Sequence, residues 1–312
     1  MIKPAQNFGA FYIVKELGAG TFGRVWHGLR IADGIPVAIK LLEERSDDST
    51  RRFIREARLL SQQLDNPYVV DILGADLEHE PPYLVMEYCD GGSLRSWVEN
   101  LRPWRDVAAA LLHAAQGLAA IHKAQGFHRD IKPDNLLISR NEQRKIVIKI
   151  ADFGLAQAPS DDSVMTNYGR GTPAYIAPEV HRTGTFSHPA DVFALGVTGI
   201  ELLTGQRDQE SLNAIQCPDA MKTLLVEMTG YNPNKRPSIA DVVQRLAAFL
   251  QEQRQRSHRP ATPGANGSST GQSKGQSGDL AGLLLTGGLV VGGLALLARM
   301  LDGNDDEDDD DY

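Results

Sequence analysis

The sequence of 312 residues predicts an α+β protein with two lobes, a small lobe rich in β-strands and a larger, mainly helical lobe. Near the start, residues 11–17, 24–30 and 35–42 alternate or run apolar between glycine-containing turns, a pattern typical of strands. Beyond residue 93 the apolar side chains recur at helical spacing over three long stretches. We therefore expect a sheet first and a helical lobe after it.

Helices are predicted in both lobes. One accompanies the sheet at residues 46–64, where apolar side chains repeat at helical spacing. The helices of the second lobe are predicted at residues 104–126, 190–205 and 238–253. Gly126 and Gly205 are suited to end the first two of these, and Ser238 with Asp241 three residues later forms a candidate cap for the third.

The net charge of −8 comes from the C-terminus, because residues 302–312 carry eight carboxylates and no basic side chain. Residues 1–253 contain 27 basic and 31 acidic side chains without a basic stripe, so we expect no nucleic-acid partner.

Cys89 and Cys217 lie far apart and outside any metal-binding spacing, which argues against a disulfide framework and a zinc site. The first residues lack the apolar core of a secretory signal, so we expect the folded part in the cytoplasm.

A glycine-rich stretch, GAGTFGRV at residues 18–25, lies between two predicted strands. Gly18, Gly20 and Gly23 would let the backbone of a hairpin close over phosphates that side chains would otherwise obstruct. The same spacing also occurs in ordinary glycine turns and at the start of dinucleotide-binding units. The residues after Gly23 have the pattern of a strand and not of a helix, which argues against a dinucleotide-binding unit.

Lys40 ends the VAIK stretch on the third predicted strand, and Glu56 lies sixteen residues further on, within the predicted helix. An inward-facing lysine needs an anion, and Glu56 would both neutralise Lys40 and direct it towards the α- and β-phosphates of a nucleotide. Taken separately, the two residues are equally compatible with exposed surface charges.

Two further motifs follow in order, HRDIKPDN at residues 128–135 and DFG at residues 152–154. With them, the sequence resembles the eukaryotic-like (Hanks-type) serine/threonine protein kinases over about residues 11–253, and by analogy a bacterial member of that family. The resemblance is carried by GAGTFGRV, VAIK, Glu56, MEYCDGGSL, HRDIKPDN, DFG, GTPAYIAPE, DVFALG and Arg236. It implies the bilobal protein-kinase fold for residues 8–253, with an N-lobe at 8–86, a hinge at 87–92 and a C-lobe at 93–253.

The resemblance implies catalytic roles for Lys40, Glu56, Asp130 and Lys132, and a metal-binding role for two further residues. Asp130 would be the catalytic base that accepts a hydrogen bond from the attacking hydroxyl. Lys132 would contact the γ-phosphate and favours a serine/threonine enzyme over a tyrosine enzyme. Asn135 and Asp152 would hold Mg²⁺, or Mn²⁺ in its place, because both supply oxygen ligands.

ATP is the nucleotide that the resemblance implies. Met86 would be the gatekeeper, and Glu87 to Cys89 would supply hinge backbone groups for the adenine edge. The ring would lie between apolar side chains, which are equally suited to a protein core. These side chains are Val25, Ala38 and Leu137. The complete implied ATP-binding set is Gly18, Ala19, Gly20, Thr21, Phe22, Gly23, Val25, Ala38, Lys40, Met86, Glu87, Cys89 and Leu137.

An activation segment is implied at residues 152–179. Thr172 would hydrogen-bond around Asp130 in the active arrangement, and a phosphate added to the segment would find a cationic partner in Arg129. The candidate autophosphorylation sites are, in order, Thr166, Ser163 and Ser160, and each hydroxyl could equally belong to an unmodified loop. The implied structural residues are Arg129, Glu179, Asp191 and Arg236, with Glu179 paired to Arg236.

Beyond the kinase-like part, residues 254–279 are rich in Gly, Ser, Gln and Pro and predict a disordered linker. Residues 280–298 are nineteen positions without a charge. A helix formed by them would be roughly 28 Å long, which nearly matches the roughly 30 Å thickness of the hydrocarbon core of a bilayer. The last segment, 299–312, is an acidic tail. We expect a cytoplasmic kinase domain anchored at its C-terminus by one transmembrane helix.

The C-terminal residues leave two alternatives open. Gly288 and Gly292 form a GxxxG pair that would support self-association in lipid, and the kinase domain could self-associate as well. The other alternative is a soluble kinase whose acidic end binds a basic partner or metal ions loosely.

These residues together predict an ATP- and magnesium-dependent protein kinase that phosphorylates Ser and Thr of protein substrates, autophosphorylates and acts in signalling. A nucleotide-binding scaffold with little turnover is the alternative, and it would be favoured by the loss of Lys40, Asp130 or Asp152, all of which are present. A small-molecule kinase of related fold is less consistent with Lys132 and with GTPAYIAPE.

Overall fold

A computed structural model of the chain describes residues 3–20, 23–42, 66–76, 78–124, 126–141, 143–152 and 173–257. For these residues the predicted two-lobed arrangement is confirmed, with a six-stranded antiparallel sheet preceding a helical lobe that also carries a two-stranded sheet. The helix predicted at 46–64, the linker beyond residue 257, the apolar segment 280–298 and the acidic tail lie outside the described residues.

The N-lobe sheet has the strand order β1-β2-β3-β4-β6-β5. Its strands are β1 Gln6–Phe8, β2 Phe11–Gly20, β3 Gly23–Arg30, β4 Pro36–Leu41, β5 Ile72–Asp76 and β6 Tyr83–Glu87. The three predicted strands correspond to β2, β3 and β4. Because side chains alternate between the faces of a strand, Ile39 lies on one face and its neighbours Ala38 and Lys40 on the other. The sheet therefore presents two different surfaces.

The face that carries Ile39 forms a small core of its own with other buried side chains of the sheet. They are Phe8, Phe11, Ile13, Trp26, Val37, Ile39, Leu41 and Val85. On the opposite face the register pairs Val25 with Lys40 and Ala38 with Met86. Directly opposed residues of antiparallel strands project to the same side, so these four side chains share the face that is turned towards the C-lobe.

The C-lobe is built around two long buried helices. Its elements are α1 Arg95–Glu99, α2 Trp104–Lys123, β7 Leu136–Arg140, β8 Ile146–Ile150, α3 Pro178–Thr183, α4 His188–Thr204, α5 Asp219–Met228 and α6 Ile239–Ser257. Helices α2 and α4 are apolar on nearly every side, so both lie in the interior of the largest hydrophobic core. A Cβ at Gly117 of α2 would lie 2.6 Å from the Tyr68 carbonyl oxygen, which shows how closely α2 approaches the preceding segment.

The helix ends agree with the sequence pattern at two positions and differ at two. Gly205 caps the end of α4 in the left-handed conformation, with φ at 74°. At the start of α6 the Ser238 hydroxyl accepts a hydrogen bond from the Asp241 amide. The Asp241 carboxylate in turn accepts hydrogen bonds from the Ser238 amide and hydroxyl. Helix α2 ends at Lys123, before the predicted end at Gly126. Helix α6 continues to Ser257, four residues into the predicted linker, because the Arg and Gln side chains there are good helix formers.

Among the described residues, no helix is both long enough and apolar enough to cross a bilayer.

A buried histidine joins α2 to the two-stranded sheet. The His113 Nδ1 accepts a hydrogen bond of 3.1 Å from the Ile148 amide, and its ring stacks on Tyr68 with 4.7 Å between centroids. Burial lowers the pKa of His113 to about 4. Between that value and the ordinary value of 6.5 the unfolded chain binds a proton that the folded chain excludes, so folding stability falls as the pH is lowered through this window.

Replacing His113 by Asn should therefore flatten the acid dependence of stability, because Asn keeps an acceptor near Nδ1 but does not titrate. Between pH 7 and pH 5 we expect the variant to lose about 2 kcal/mol less unfolding free energy than the wild type. Urea unfolding at the two pH values measures this, and equal losses for both proteins would contradict it. At pH 7 the variant itself should be less stable, because the smaller side chain leaves a cavity.

Candidate active site

Lys40 and Asp152 meet between the two lobes, although they lie 112 residues apart in sequence. The Lys40 Nζ donates to the Asp152 Oδ1 at 2.8 Å. Lys40 leaves β4 on the face turned towards the C-lobe, and only 3% of its surface is exposed. A buried ammonium needs a compensating anion, and the carboxylate that follows β8 supplies it.

The loop before β7 brings three polar side chains together. The Asp130 Oδ2 accepts from the Lys132 Nζ at 2.6 Å and from the Asn135 Nδ2 at 2.9 Å. The same Asn135 amide donates to the Asp130 carbonyl oxygen at 2.7 Å. The Asp130 carboxylate is thus nearly buried and held in one orientation by two donors.

Asn135 and Asp152 are also neighbours in space. The Ala151 amide, one residue before Asp152, donates to the Asn135 carbonyl oxygen at 2.9 Å. Carboxylate and amide oxygens are the ligand types that Mg²⁺ and Mn²⁺ prefer, so the donor chemistry of these two side chains fits such an ion. In the described part of the chain no group of three or more His, Cys, Asp or Glu side chains forms a metal site, so a cation here would need ligands from water or from a bound phosphate as well.

Two residues of the site have a backbone conformation that is costly for side chains with a Cβ. Arg129 and Asp152 have φ values of 70° and 62°, in the left-handed region. The Asp191 carboxylate on α4 holds the first of these turns, because it accepts from the amides of His128 at 2.9 Å and Arg129 at 2.8 Å. The Arg129 guanidinium lies 4.9 Å above the Phe186 ring.

The Asp191 carboxylate itself is buried and accepts a third hydrogen bond of 3.0 Å from the His122 Nε2. Burial alone would raise the pKa of Asp191, but the hydrogen bond from His122, the charge interactions with His122 and His128 and the hydrogen bond from the His128 amide together lower the pKa below its ordinary value. Asp191 therefore remains a carboxylate and can hold the loop. Its position in DVFALG is consistent with the structural role implied by the sequence.

His128 is completely buried and its ring is enclosed by backbone groups. The Nε2 lies 3.0 Å from the Ala151 carbonyl oxygen, and the Nδ1 accepts from the Asp130 amide at 3.3 Å. These contacts fit the tautomer that is protonated at Nε2. The ring thus fastens the loop of Asp130 to the residue before Asp152 as a packed structural histidine.

An apolar cluster lies on the same face of the N-lobe sheet as Lys40. The four side chains predicted for the gatekeeper and the enclosing walls, Val25, Ala38, Met86 and Leu137, belong to one cluster. The same cluster contains residues that the sequence analysis did not identify, namely Val70, Ile72 and Ala151. Ala151 could have been found from its place beside Asp152, whereas Val70 and Ile72 carry no signal beyond ordinary strand alternation.

The hinge is tied to the C-lobe by an ion pair that the sequence analysis missed. The Lys149 Nζ on β8 donates to the Glu87 Oε2 at 2.6 Å and lies 3.8 Å from the Asp71 carboxylate. Burial raises the pKa of Glu87, although Lys149 opposes that shift. Cys89 is buried in the hinge, and burial raises the pKa of its thiol to about 12, so it stays protonated at neutral pH.

The glycine-rich stretch forms the end of a hairpin. Gly18 and Gly20 lie on β2, Gly23 lies on β3, and the register pairs Gly20 with Gly23. Ala19 is paired with Arg24. At Gly23 φ is 141°, a conformation that favours glycine. This strand–turn–strand arrangement excludes the strand–helix turn of a dinucleotide-binding unit.

Glu179 and Arg236 form a two-pronged buried ion pair. The two Arg236 terminal nitrogens donate to the two Glu179 oxygens at 2.6 and 2.7 Å, and the Arg236 side chain has no exposed surface. Arg236 also donates to the carbonyl oxygens of Gly230 and Pro189. The pair anchors the start of α3 to the chain before α6.

The remaining predicted site residues lie outside the described residues. They are Thr21 and Phe22 of the glycine-rich turn, Glu56, and the activation-segment residues Ser160, Ser163, Thr166 and Thr172. The contact predicted between Lys40 and Glu56 and the contacts of Thr172 therefore stay predictions.

Comparison with known proteins agrees with this geometry. The sequence model of the family described as protein kinase domain matches residues 11–246. The chain is 34% identical over 203 residues to serine/threonine-protein kinase Pkn1 of Myxococcus xanthus, an alignment that covers 64% of this chain and 29% of that protein. It is 36% identical over 201 residues to serine/threonine-protein kinase PknL of Mycobacterium tuberculosis, covering 62% and 49%.

Relatives with a different stated specificity also match. The chain is 30% identical over 269 residues to the tyrosine-protein kinase transforming protein ros of UR2 avian sarcoma virus, covering 74% of this chain and 67% of that protein. The chain spans less than half the length of the two bacterial relatives.

Replacing Arg236 by Met should destabilise the protein strongly, because it leaves the Glu179 carboxylate buried without its cation. We expect a loss of about 3–5 kcal/mol in unfolding free energy. Replacing Glu179 by Gln in the same protein removes the unpaired charge and should recover part of that loss. Chemical denaturation of the two variants and the wild type measures both effects, and a loss under about 1 kcal/mol in the single variant would contradict this assignment.

Proposed function

This chain belongs to the family of protein kinase domains, and on that premise we propose that it transfers the γ-phosphoryl group of ATP to Ser and Thr hydroxyls of protein substrates. The observation that carries the proposal is the 2.8 Å contact of Lys40 with Asp152. This contact sets a cation of the N-lobe beside a carboxylate of the C-lobe, and the apolar cluster of Val25, Ala38, Met86 and Leu137 lies on the same face of the sheet as Lys40. A nucleotide whose base contacts these apolar side chains would extend its phosphates towards both charged groups.

Asp130 is the proposed catalytic base. Its carboxylate is held by Lys132 and Asn135 and would accept a hydrogen bond from the acceptor hydroxyl, orienting it for in-line attack on the γ-phosphorus. The hydroxyl oxygen forms the new bond to phosphorus, the bond to the β,γ-bridging oxygen breaks, and the hydroxyl proton passes to Asp130. Lys132 would contact the γ-phosphate.

Asn135 and Asp152 are the proposed ligands of Mg²⁺. The bound ion supplies positive charge that offsets the charge of the phosphate oxygens during transfer. Asp152 would turn from Lys40 towards the ion, and Lys40 would then contact the α- and β-phosphates, with Glu56 as its anionic partner. Val25, Ala38, Met86 and Leu137 would enclose the adenine.

Specificity for Ser and Thr rests on Lys132, which follows Asp130 by two residues, and on the two bacterial relatives named as serine/threonine kinases. Transfer to tyrosine is the competing specificity, because a tyrosine kinase is among the relatives. We further propose that the chain autophosphorylates at Thr166, with Ser163 and Ser160 as secondary sites, and that Arg129 binds the added phosphate.

Replacing Asp130 by Asn should abolish turnover while leaving ATP binding within a few-fold of wild type, because the amide keeps the shape and cannot accept the proton. We expect kcat to fall by roughly 10²–10⁴-fold. Transfer from labelled ATP to casein, phosphoamino acid analysis and phosphopeptide mapping of the kinase measure activity, specificity and modification together. Asp219→Asn, the same chemical change on the exposed first turn of α5, is the control.

Each alternative has its own outcome in this experiment. ATP binding without transfer by the wild type would favour the nucleotide-binding scaffold. Product that contains only phosphotyrosine would contradict the proposed Ser/Thr specificity. Label found only on small-molecule hydroxyls would favour a small-molecule kinase of related fold.

We also propose that residues 280–298 attach the kinase domain to a membrane, because these nineteen residues carry no charge. Full-length protein should then partition into the membrane fraction, and a protein that ends at Asp279 should not. Fractionation of both with an alkaline carbonate wash measures this, and equal solubility of the two proteins would contradict it.

A further inference from the structure

Five polar side chains from five separate segments form one cluster beside the loop of Asp130. The members of this Arg95 cluster are Arg95, Asp134, Tyr175, Glu201 and Arg207. They come from α1, from the one-turn 3₁₀ helices Pro133–Asn135 and Pro173–Tyr175, from α4, and from the chain that follows α4. Two guanidinium groups and two carboxylates make the cluster neutral overall.

Arg95 is the member that connects the others. Its terminal nitrogens donate to the Asp134 Oδ2 at 2.7 Å, to the Tyr175 hydroxyl at 2.9 Å and to the Glu201 Oε1 at 2.9 Å. Its Nε lies 3.2 Å from the Asp134 Oδ2. All three nitrogens of the planar fork are thus used, which an ammonium group could not reproduce.

The two carboxylates differ in how far they depend on Arg95. The Glu201 side chain is only 2% exposed, and besides Arg95 it accepts from Arg207 at 2.8 Å and from the Tyr175 hydroxyl. Asp134 is 46% exposed, and within the part of the chain that the structure describes Arg95 is the cation with which it forms an ion pair. Loss of Arg95 would leave Glu201 partnered but would take from Asp134 its ion-pair partner, so that the exposed carboxylate would keep only the weaker influence of the Lys132 charge among the interactions described for it.

Asp134 is next to Asn135, whose amide holds the Asp130 carboxylate. Arg95 joins Asp134 to Tyr175, which belongs to the GTPAYIAPE stretch, a feature of the peptide-accepting members of the family that the sequence resembles. If the proposed function holds, the acceptor peptide lies between these two segments. The charge on Asp134 would then act on residues that flank the acceptor hydroxyl.

We propose that Arg95 determines the charge preference of the peptide-acceptor site by neutralising Asp134 and fixing it against Tyr175 and Glu201. The inference rests on the proposed kinase activity and concerns one feature of it, the preference for the substrate sequence. With Arg95 in place the Arg95 cluster carries no net charge, so it gives basic residues around the acceptor no advantage. Without Arg95 the exposed carboxylate would attract them, an effect that is largest at low salt.

The test compares the wild type with Arg95→Ala on synthetic peptides that contain one acceptor hydroxyl and, at each flanking position in turn, either arginine or alanine. The wild type should show ratios of kcat/KM between arginine and alanine peptides within about twofold. At the most sensitive position the variant should prefer arginine by about five- to tenfold more than the wild type, as expected for one uncompensated charge near the surface. The gain should appear in KM for the peptide and shrink as salt is added.

Two further variants separate charge preference from a general structural role. Arg207→Ala removes contacts to Glu201 and Tyr175 but none to Asp134, so it should leave the arginine preference unchanged. Asp134→Asn added to Arg95→Ala removes the exposed charge and should return the preference to within twofold of wild type. A preference that persists in this double variant, or that is absent from Arg95→Ala, would overturn the proposal.

The experiment stays decisive if Arg95→Ala does not fold. Asp134→Asn alone leaves the Arg95 charge without its exposed partner, so this variant should disfavour arginine peptides by about fivefold, and unchanged ratios would again overturn the proposal. Failure of the proposed function has a different signature. In that case the wild type transfers no phosphate to any peptide, whereas failure of this inference leaves transfer intact with the same preference in all variants.

Discussion

The contact between Lys40 and Asp152 is the constraint on which the rest of the site depends, because it can form only if the two lobes are correctly placed. Lys40 belongs to a sheet whose register also sets Ala38 opposite Met86, so the position of the ammonium and the packing of the apolar cluster are decided together. Asp152 follows β8, and β8 also carries Lys149, which contacts Glu87 of the hinge. A displacement of the sheet would therefore disturb the charge pair, the apolar cluster and the hinge contact at once.

Buried charges do most of the positioning in the C-lobe, and each has a specific partner. Asp191 holds two backbone amides of the loop before Asp130, and Arg236 holds Glu179 through both of its terminal nitrogens. Removal of one partner from such a pair is costly because the other is left in a low-dielectric interior. These pairs therefore specify one arrangement of the loops around Asp130, in which a costly left-handed turn at Arg129 is maintained.

Much of the fold and part of the site could be predicted from local patterns. Strand alternation and helical spacing located β2, β3, β4 and the long helices, and the capping residues Ser238 and Gly205 act as expected. The extension of α6 to Ser257 was not predicted, because the Gly, Ser, Gln and Pro content of residues 254–279 favours a linker, although Arg and Gln at the start of this range are good helix formers. Lys149 and Val70 were not predicted either, since nothing near them in sequence indicates that they contact Glu87 or belong to the apolar cluster.

The sequence by itself determined the kind and order of β2, β3, β4, α2, α4 and α6 and the identity of the groups that can do chemistry, because periodicity, caps and motifs are local properties of the chain. Only the tertiary structure decided which charge neutralises which. Lys40 meets Asp152 across 112 residues, and Arg95 meets Asp134 across 39. Such pairings depend on the path of the whole chain and on the exclusion of water around them, and neither is encoded in any short stretch of sequence.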